Sequence, residues 1–299
     1  MITCRTVPSA GEPRPRSSLV PSTGQDRFFD YCLQPYPPRC DPAGKLRGES
    51  LLWNSLEVAG LSEAEYAPFD AIRSAAGRDM TVFGVKWFED RLSWEMYFYD
   101  PQRDDEQITA AALREALRGT LDLRPYVPDS TRYFMYSFDL DAASVRAASV
   151  PELNVYLQFH EGQGGHSYAL REDSCELRNT YRFHEPKQEI DAILHQVRRS
   201  MWVDFSKVRI ADIVVPELYE CAKICVAKKR TADAIYYSGI SVDQLRWFLH
   251  RFDYPEAVTS FVDEHRADFD HLMFDVGIDY RSGPDGTLEY PKTGYYSTL

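Results

Sequence analysis

The feature that most constrains this chain is a unit of two β-strands and a helix that returns along the sequence. Residues 81–100 alternate apolar and polar side chains around a short turn, and residues 108–121 follow with leucines at helical spacing. Residues 221–227 and 232–239 form another such hairpin, and Ser241 is a typical N-cap for the helix after it. Repeated units of this kind predict an antiparallel sheet with helices on one face.

The middle and the end of the chain continue the pattern. Alternating runs at 133–139, 152–160 and 175–184 precede a predicted helix over 186–201, and a last hairpin is predicted from two runs, 272–280 and 287–296. A glycine-rich turn (Gly162, Gly164, Gly165) separates the second run from the third. Because exposed sheet edges invite aggregation, we expect the sheet to close into a barrel, with the helices as an outer ring. The predicted fold class is α+β.

The N-terminal 49 residues differ from the rest. They are rich in proline and arginine and poor in periodic apolar residues, so burial would not repay the entropy lost on ordering. We predict a partly disordered tail over 1–49, with some order between Phe28 and Tyr31, and a single barrel domain over 50–299.

Charge and composition narrow the function classes. The chain has 34 basic and 46 acidic residues, a net charge of −12, which disfavours binding to nucleic acid or to an anionic membrane. No apolar stretch reaches the roughly 20 residues of a membrane span, and the N-terminus lacks a signal-like apolar run. Six scattered cysteines without CxxC pairs indicate reduced thiols. We therefore expect a cytoplasmic protein, as a monomer or a weak oligomer.

Alternation along the strands predicts which side chains face the barrel lumen. If helices cover the outside, the apolar face of each strand points outward and the polar face points inward. Glu95, Tyr97 and Tyr99 then face the lumen, as do Tyr156 and its polar neighbours on the next strand, and the carboxylates of Asp275 and Asp279. Such a polar and aromatic interior is typical of a barrel that holds a ligand.

The same alternation places several cations in the lumen, although each could instead pair with an acidic residue across the barrel, such as Asp139, Asp275 or Asp279. Cations beside tyrosine hydroxyls suit an anionic ligand such as a diphosphate. Tyrosine ring faces suit a carbocation formed when that diphosphate leaves. The predicted cations are Lys86, Arg178, Arg182, Lys223 and, less clearly oriented, Lys292; the predicted aromatic lining is Tyr97, Tyr99, Tyr156, Tyr237 and Tyr296.

One carboxylate is expected to act as acid or base. Loss of a proton after electrophilic attack on an aromatic acceptor requires a nearby base, and Glu95 is the first candidate, with Asp275 and Asp279 as alternates. The structural alternative is that Glu95 forms a salt bridge with Lys86 across its own hairpin. His160, His166 and His184 lie near one another in sequence but lack the spacing of metal ligands, so we interpret them as loop or surface histidines.

Three stretches carry a resemblance to a known family: KKRTADAIYYSGISVDQLRWFLHRF, FDHLMFDVGIDYRSGPDGTLEYPKTGYYS and FMYSFDLDAASVRAASVPELNVYLQFHEG. In pattern and spacing, residues 80–296 resemble the aromatic prenyltransferases of the ABBA, or PT-barrel, fold, especially the cyanobactin-type peptide prenyltransferases. The resemblance implies a closed ten-stranded antiparallel barrel ringed by helices. It also implies transfer of a prenyl group from an allylic diphosphate, held by Lys, Arg and Tyr, to an aromatic or other nucleophilic acceptor.

Other functions fit the sequence less well. The chain lacks the Gly-x-Ser-x-Gly, P-loop and dinucleotide-binding patterns, and 103–107 lacks the aspartate pair of a DDxxD metal motif. The one cofactor considered is Mg²⁺, as a possible companion of the diphosphate. The alternative to a prenyltransferase is a non-catalytic barrel that binds a hydrophobic or anionic ligand, or a partner protein in a biosynthetic pathway.

Overall fold

In the computed structural model, which describes residues 18–79, 81–99, 108–128, 130–159 and 162–299, the chain forms a closed barrel of ten antiparallel strands. We number the barrel strands β1 to β10 in chain order. They are β1 Val82–Phe88, β2 Arg91–Tyr99, β3 Met135–Leu140, β4 Leu153–Gln158, β5 Gly164–Arg171, β6 Ser174–His184, β7 Lys223–Lys229, β8 Asp233–Ile240, β9 Phe274–Ser282 and β10 Thr293–Thr298.

Each strand pairs with the next one in the chain, and the last pairs with the first. Residues 82–87 of β1 lie opposite residues 298–293 of β10, which closes the sheet and leaves no barrel edge unpaired. The odd-numbered strands all begin at one end of the barrel, called here the upper end; the opposite end is the lower end. The predicted α+β fold class, a closed ten-stranded antiparallel barrel with surrounding helices, is thereby confirmed.

Within the described ranges, seven α-helices lie around the barrel. Ser241 caps the helix at 242–251 in a reciprocal capping box with Gln244, as expected from its sequence. Helix 190–198 begins later than predicted from Pro186, because residues 185–189 form a hydrogen-bonded turn first. The helices are α1 Glu49–Val58, α2 Ala67–Ala76, α3 Ala110–Ala116, α4 Ala142–Ala147, α5 Ile190–Arg198, α6 Val242–Arg251 and α7 Glu256–Glu264.

The main core lies between the outer face of the barrel and these helices. Phe83, Val85, Trp94 and Phe98 point outward from β1 and β2 and are fully buried there. A second apolar cluster, made largely of tyrosines, lies inside the barrel. Because the apolar side chains of these strands point outward, the polar and aromatic side chains lie on the inner face. Of the helices in the described ranges, none combines the length and the apolar character that a membrane crossing needs.

Residues 18–48 lie against the barrel. Arg47 is buried, pairs with Asp26 at 2.9 Å and also contacts Asp79, which fixes the segment next to α1. Between these anchor points, residues 29–35 form a turn that reaches the upper end of the barrel. The first 17 residues of the predicted tail lie outside the described residues.

Strand β5 did not stand out in the sequence. Its residues, GGHSYALR, follow the glycine-rich turn and show no continuous apolar face. In the barrel β5 obtains its order from its neighbours, because it pairs along its whole length with both β4 and β6.

Candidate ligand site in the barrel lumen

A cavity of about 800 Å³ occupies the upper part of the lumen. Its wall combines aromatic rings with a few charged and polar side chains, the composition typical of a small-molecule site. The aromatic part includes Tyr31, Tyr156, Tyr181, Phe183, Tyr236 and Tyr296, and the charged part includes Asp30, Arg132, Lys223 and Asp275.

Six tyrosines form a continuous band inside the barrel, which we call the tyrosine belt. Neighbouring rings along the belt have centroids 5.0 to 6.4 Å apart, mostly in edge-on or tilted arrangements. Burial raises the pKa of each of these phenols above its usual value, so all remain neutral hydrogen-bonding groups. In order around the lumen, the belt is Tyr181, Tyr156, Tyr97, Tyr31, Tyr296 and Tyr236.

Two glycines make room for the rings of the belt. A Cβ atom on Gly84 would lie 2.5 Å from Cε1 of Tyr296, and a Cβ on Gly277 would lie 2.5 Å from Cε1 of Tyr236. Both glycines are on inward positions of β1 and β9, directly across from a strand that carries a tyrosine. Their missing side chains allow the tyrosine rings to lie flat against the barrel wall.

An ion cluster fills the lower end of the lumen. Lys86 contacts Glu95 and lies 2.5 Å from Asp139, while Asp279 lies 2.7 Å from Lys229 and 3.7 Å from Lys292. We call these six side chains the lower ion cluster: Lys86, Lys229, Lys292, Glu95, Asp139 and Asp279. Its three formal positive charges are matched by three formal negative ones.

The cluster determines the state of two candidate catalytic carboxylates. Burial would raise the pKa of Glu95, but Lys86 and hydrogen bonds from Ser137 and Tyr97 hold it below its usual value. Burial acts in the same sense on Asp279, and the neighbouring lysines lower its pKa. Both groups are therefore ionised and held by cations. Glu95 thus forms the salt bridge with Lys86 that was the structural alternative to a catalytic role for Glu95.

Asp275 is in a different environment from these two. It lines the cavity near the upper end, is 5% exposed, and accepts a hydrogen bond from the backbone N–H of Tyr31 at 3.2 Å. Burial, together with the nearby Asp30 carboxylate, raises its pKa to about 8. Of the three predicted carboxylates, Asp275 is therefore the one that lines the cavity and has a pKa close to neutrality.

One predicted lumen cation lies outside the lumen. Strand β6 contains a bulge at Arg178, where two positions of β6 oppose one step of β5, so the inward-outward alternation shifts by one residue. Beyond the bulge Tyr181 and Phe183 line the cavity and Arg182 is exposed, so the predicted placement of Arg182 in the lumen was wrong. Arg178 itself does not line the cavity; it forms a two-pronged ion pair with Glu152 at 2.6 and 2.7 Å.

Tyr237 also faces the opposite way from the prediction. Its hydroxyl accepts a hydrogen bond from the N–H of Val215 at 2.8 Å and donates one to the carbonyl of Ile213, both on the helix side of the barrel. The adjacent Tyr236 occupies the lumen instead. The alternation could have predicted this, because the apolar Ile235 lies on the same face of the strand as Tyr237, and Tyr236 lies on the opposite, inner face.

The remaining predicted residues face the lumen. Lys86 and Lys292 belong to the lower ion cluster, while Lys223 lines the cavity at the upper end with its side chain about half exposed. Tyr99 is fully buried in the inner apolar cluster, where its hydroxyl donates to the carbonyl of Tyr31. Lys229 was not among the predicted lumen cations. The predicted strand ended at residue 227, whereas β7 continues to Lys229.

The histidines do not converge. Nδ1 of His166 lies 3.0 Å from the hydroxyl of Thr180, and His184 is buried at the end of β6 with Glu189 at 3.7 Å. His160 lies outside the described residues. Within the part of the chain that the structure describes, no group of three or more His, Cys, Asp or Glu side chains could hold a metal ion.

Comparisons with known proteins find similarity in structure but not in sequence. No family model matches the chain, and no curated protein matches its sequence. Among solved structures, the chain is similar to one described as "Crystal structure of NotF prenyltransferase", with a TM-score of 0.45 and 10% sequence identity. The similarity covers 83% of this chain and 92% of that one. The chemistry of the lumen must therefore be read from its own residues.

Proposed function

We propose that this protein is a prenyltransferase that binds the hydrocarbon chain of an allylic diphosphate in its lumen. The observation that supports this most directly is the tyrosine belt, five of whose rings line a cavity of about 800 Å³ in the upper part of the lumen. Tyrosine ring faces stabilise a nearby cation by roughly 0.5–2 kcal/mol each. A closed barrel also limits the access of water, the main competing nucleophile. The resemblance of residues 80–296 to PT-barrel enzymes suggests the same function.

The proposed reaction is a substitution at the allylic carbon. The bond between this carbon and the diphosphate oxygen breaks, and the diphosphate leaves with the electron pair. The resulting allylic cation is attacked by an electron-rich group of the acceptor, a small aromatic molecule or a peptide side chain, and a new bond forms at the allylic carbon. The acceptor then loses one proton to a base.

Asp275 is the proposed proton acceptor. It is on the cavity wall, whereas Glu95 and Asp279 are each held by a lysine of the lower ion cluster. Its pKa of about 8 makes the ionised carboxylate a stronger base than an ordinary aspartate. Glu95 and Asp279 are assigned a supporting role, since they compensate the buried lysines.

We place the diphosphate at the upper end of the cavity. Lys223 and Arg132 line this end, and Nζ of Lys223 is 3.7 Å from Glu185, a separation that leaves the ammonium group able to turn toward a ligand. The hydrocarbon chain would then extend inward along the tyrosine belt. This arrangement differs from the sequence-based prediction, in which Lys86, Arg178, Arg182, Lys223 and, less clearly, Lys292 hold the diphosphate together; of these five, Lys223 lines the cavity. Since the described residues offer no metal cluster, no step is assigned to Mg²⁺.

A second function, ligand binding without transfer, is favoured by the lower ion cluster. Lys86, Lys229 and Lys292 all contact carboxylates, so the inner lumen presents a neutral set of charges and not a cationic cradle. A diphosphate in the inner lumen would have to displace these carboxylates, at a cost of several kcal/mol for each charge left unpaired. An uncharged apolar ligand would meet no such cost.

The two functions differ in whether an allylic diphosphate is consumed. The full chain is mixed with dimethylallyl or geranyl diphosphate, Mg²⁺ and a set of phenol, indole and tyrosine-peptide acceptors, and released diphosphate and prenylated products are measured. Transfer requires product formation above the protein-free control. Lys223→Ala should weaken donor binding about tenfold, as expected for loss of one charge-assisted contact. Arg182→Ala, which removes an exposed cation of β6 that does not line the cavity, is the matched control and should change nothing.

The outcomes of these measurements distinguish the two functions. Binding of geraniol in the lumen without consumption of either diphosphate would reject transfer and support the second function. Equal donor affinity in Lys223→Ala and wild type would overturn the placement of the diphosphate at the upper end. Absence of binding of both diphosphates and of geraniol would reject both functions.

A further inference from the structure

A short turn of the N-terminal segment forms part of the lumen. Residues 29–35 close on themselves through a β-bridge between Phe29 and Pro35 and a hydrogen bond from the N–H of Asp30 to the carbonyl of Gln34 at 3.0 Å. The Asp30 carboxylate accepts two further backbone bonds, from Cys32 at 2.8 Å and from Gln34 at 2.9 Å. These hydrogen bonds lie within the turn and define its shape independently of its contacts with the barrel.

Tyr31 at the tip of this turn is fixed inside the barrel. Its N–H donates to Oδ2 of Asp275 at 3.2 Å, and its carbonyl accepts a hydrogen bond from the hydroxyl of Tyr99. Its ring packs edge-on against both Tyr97 and Tyr296, with centroid distances of 5.0 and 5.1 Å, and those two rings are themselves in contact, 6.0 Å apart. Backbone and side chain of one residue are therefore held by three different strands, β2, β9 and β10.

The position of Tyr31 divides the lumen. Its ring fills the space beside Tyr97 of β2 and Tyr296 of β10, and Tyr97 does not line the cavity. The cavity continues on the other side, along Tyr156, Tyr181 and Tyr236. A residue from outside the barrel thus occupies volume that the barrel strands alone would leave open.

We propose that Tyr31 is a specificity-determining residue that keeps the apolar part of the ligand away from the Tyr97 ring and on the side of the lumen lined by Tyr156, Tyr181 and Tyr236. The inference rests on the binding of a ligand in the lumen, which is part of the proposed function, but it does not depend on prenyl transfer. The ring sets an upper limit on the width and length of the apolar part of the ligand. Truncation of Tyr31 removes this limit, because the volume that its ring fills beside Tyr97 and Tyr296 then joins the existing cavity.

The first test compares unreactive prenyl alcohols of increasing length. Affinities for geraniol and farnesol are measured by calorimetry for wild type, Tyr31→Ala and Tyr31→Phe. In Tyr31→Ala the farnesol-to-geraniol affinity ratio should rise about tenfold, because the added isoprene unit gains buried apolar surface. Tyr31→Phe keeps the ring and should retain the wild-type ratio. A ratio in Tyr31→Ala within threefold of wild type would overturn the inference, as would absence of binding of both alcohols to all three proteins.

A second test needs neither a ligand nor activity. Xenon occupies apolar cavities that water leaves empty, so xenon-pressurised crystals of Tyr31→Ala should show an atom in the place of the Tyr31 ring, beside Tyr97 and Tyr296. Crystals of wild type and Tyr31→Phe should show none there. A Tyr31→Ala structure in which residues 29–35 have moved inward and closed this space would overturn the inference. If transfer fails in the activity assay but the xenon site and the changed affinity ratio appear, only the proposed reaction is rejected.

Discussion

At the scale of single residues, burial makes the ionisation of Asp275 costly. Its pKa of about 8 in the folded protein exceeds the value near 3.8 of an ordinary aspartate. A group with a raised carboxyl pKa contributes stability in its protonated form, and this stability is lost as the pH rises from about 4 towards 8. Ionised Asp275 would also stand next to the Asp30 carboxylate in the turn that carries Tyr31.

This predicts a pH dependence of stability that one substitution removes. The free energy of unfolding of wild type should fall by on the order of 1–3 kcal/mol between pH 5 and pH 8, a discounted fraction of the full linkage energy. Asp275→Asn stays neutral over this range and should show a flatter profile, measured by urea unfolding at several pH values. Asp173→Asn, at an exposed position, is the control and should follow wild type. Parallel profiles for wild type and Asp275→Asn would refute the prediction.

Tyr156 allows a residue-scale test of the tyrosine belt. Its ring lies 6.4 Å from that of Tyr97 and 6.2 Å from that of Tyr181, and its hydroxyl lies 3.5 Å from Oε1 of Glu95. If the ring shields an allylic cation, Tyr156→Ala should raise the ratio of free prenyl alcohol to prenylated product by admitting water.

The matched control for this variant is Tyr156→Phe. It keeps the ring face and should keep the wild-type product ratio, measured by chromatography of both products. Equal ratios in wild type and Tyr156→Ala would show that the ring acts only in packing, and would favour the function without transfer.

At the scale of strands, the glycines of β1 and β9 determine whether the belt fits. Gly277→Ala would bring a methyl group to 2.5 Å from Cε1 of Tyr236, so the ring or strand β9 would have to shift. Overpacking of this kind costs about 1–3 kcal/mol, and we expect that loss in the free energy of unfolding. Gly24→Ala has no atom within 4 Å of the new methyl group and should be close to neutral. Equal stabilities of the two variants would show that the barrel wall yields at β9.

At the scale of the whole molecule, closure of the barrel separates two chemical environments. Pairing of β1 with β10 joins strands from opposite ends of the described barrel, so both ends of the lumen exist only when the whole sheet is complete. The lower end then contains a charge-balanced ion cluster, and the upper end contains the cavity, Asp275 and the Tyr31 turn. A ligand would therefore have its apolar part in the tyrosine belt and its polar part near Lys223.

The sequence by itself predicted the closed α+β barrel and much of its inner face. Alternation has a period of two along any regular strand, so Glu95, Tyr97, Tyr156 and Asp275 could be assigned to the lumen from their immediate neighbours. The resemblance to PT-barrel proteins supplied the number of strands, which alternation alone did not provide.

Only the tertiary structure decided how these side chains are used. The bulge at Arg178 depends on pairing with β5, and it reverses the facing of every later residue of β6, which no local pattern revealed. The ionisation of Glu95 depends on Lys86 and Ser137, which reach it from two different strands. Tyr31 enters the lumen from a segment predicted as a tail, held by Asp275, 244 residues later in the chain. Facing within a strand is a local property, whereas charge pairing and the occupation of space are fixed by contacts between distant parts of the sequence.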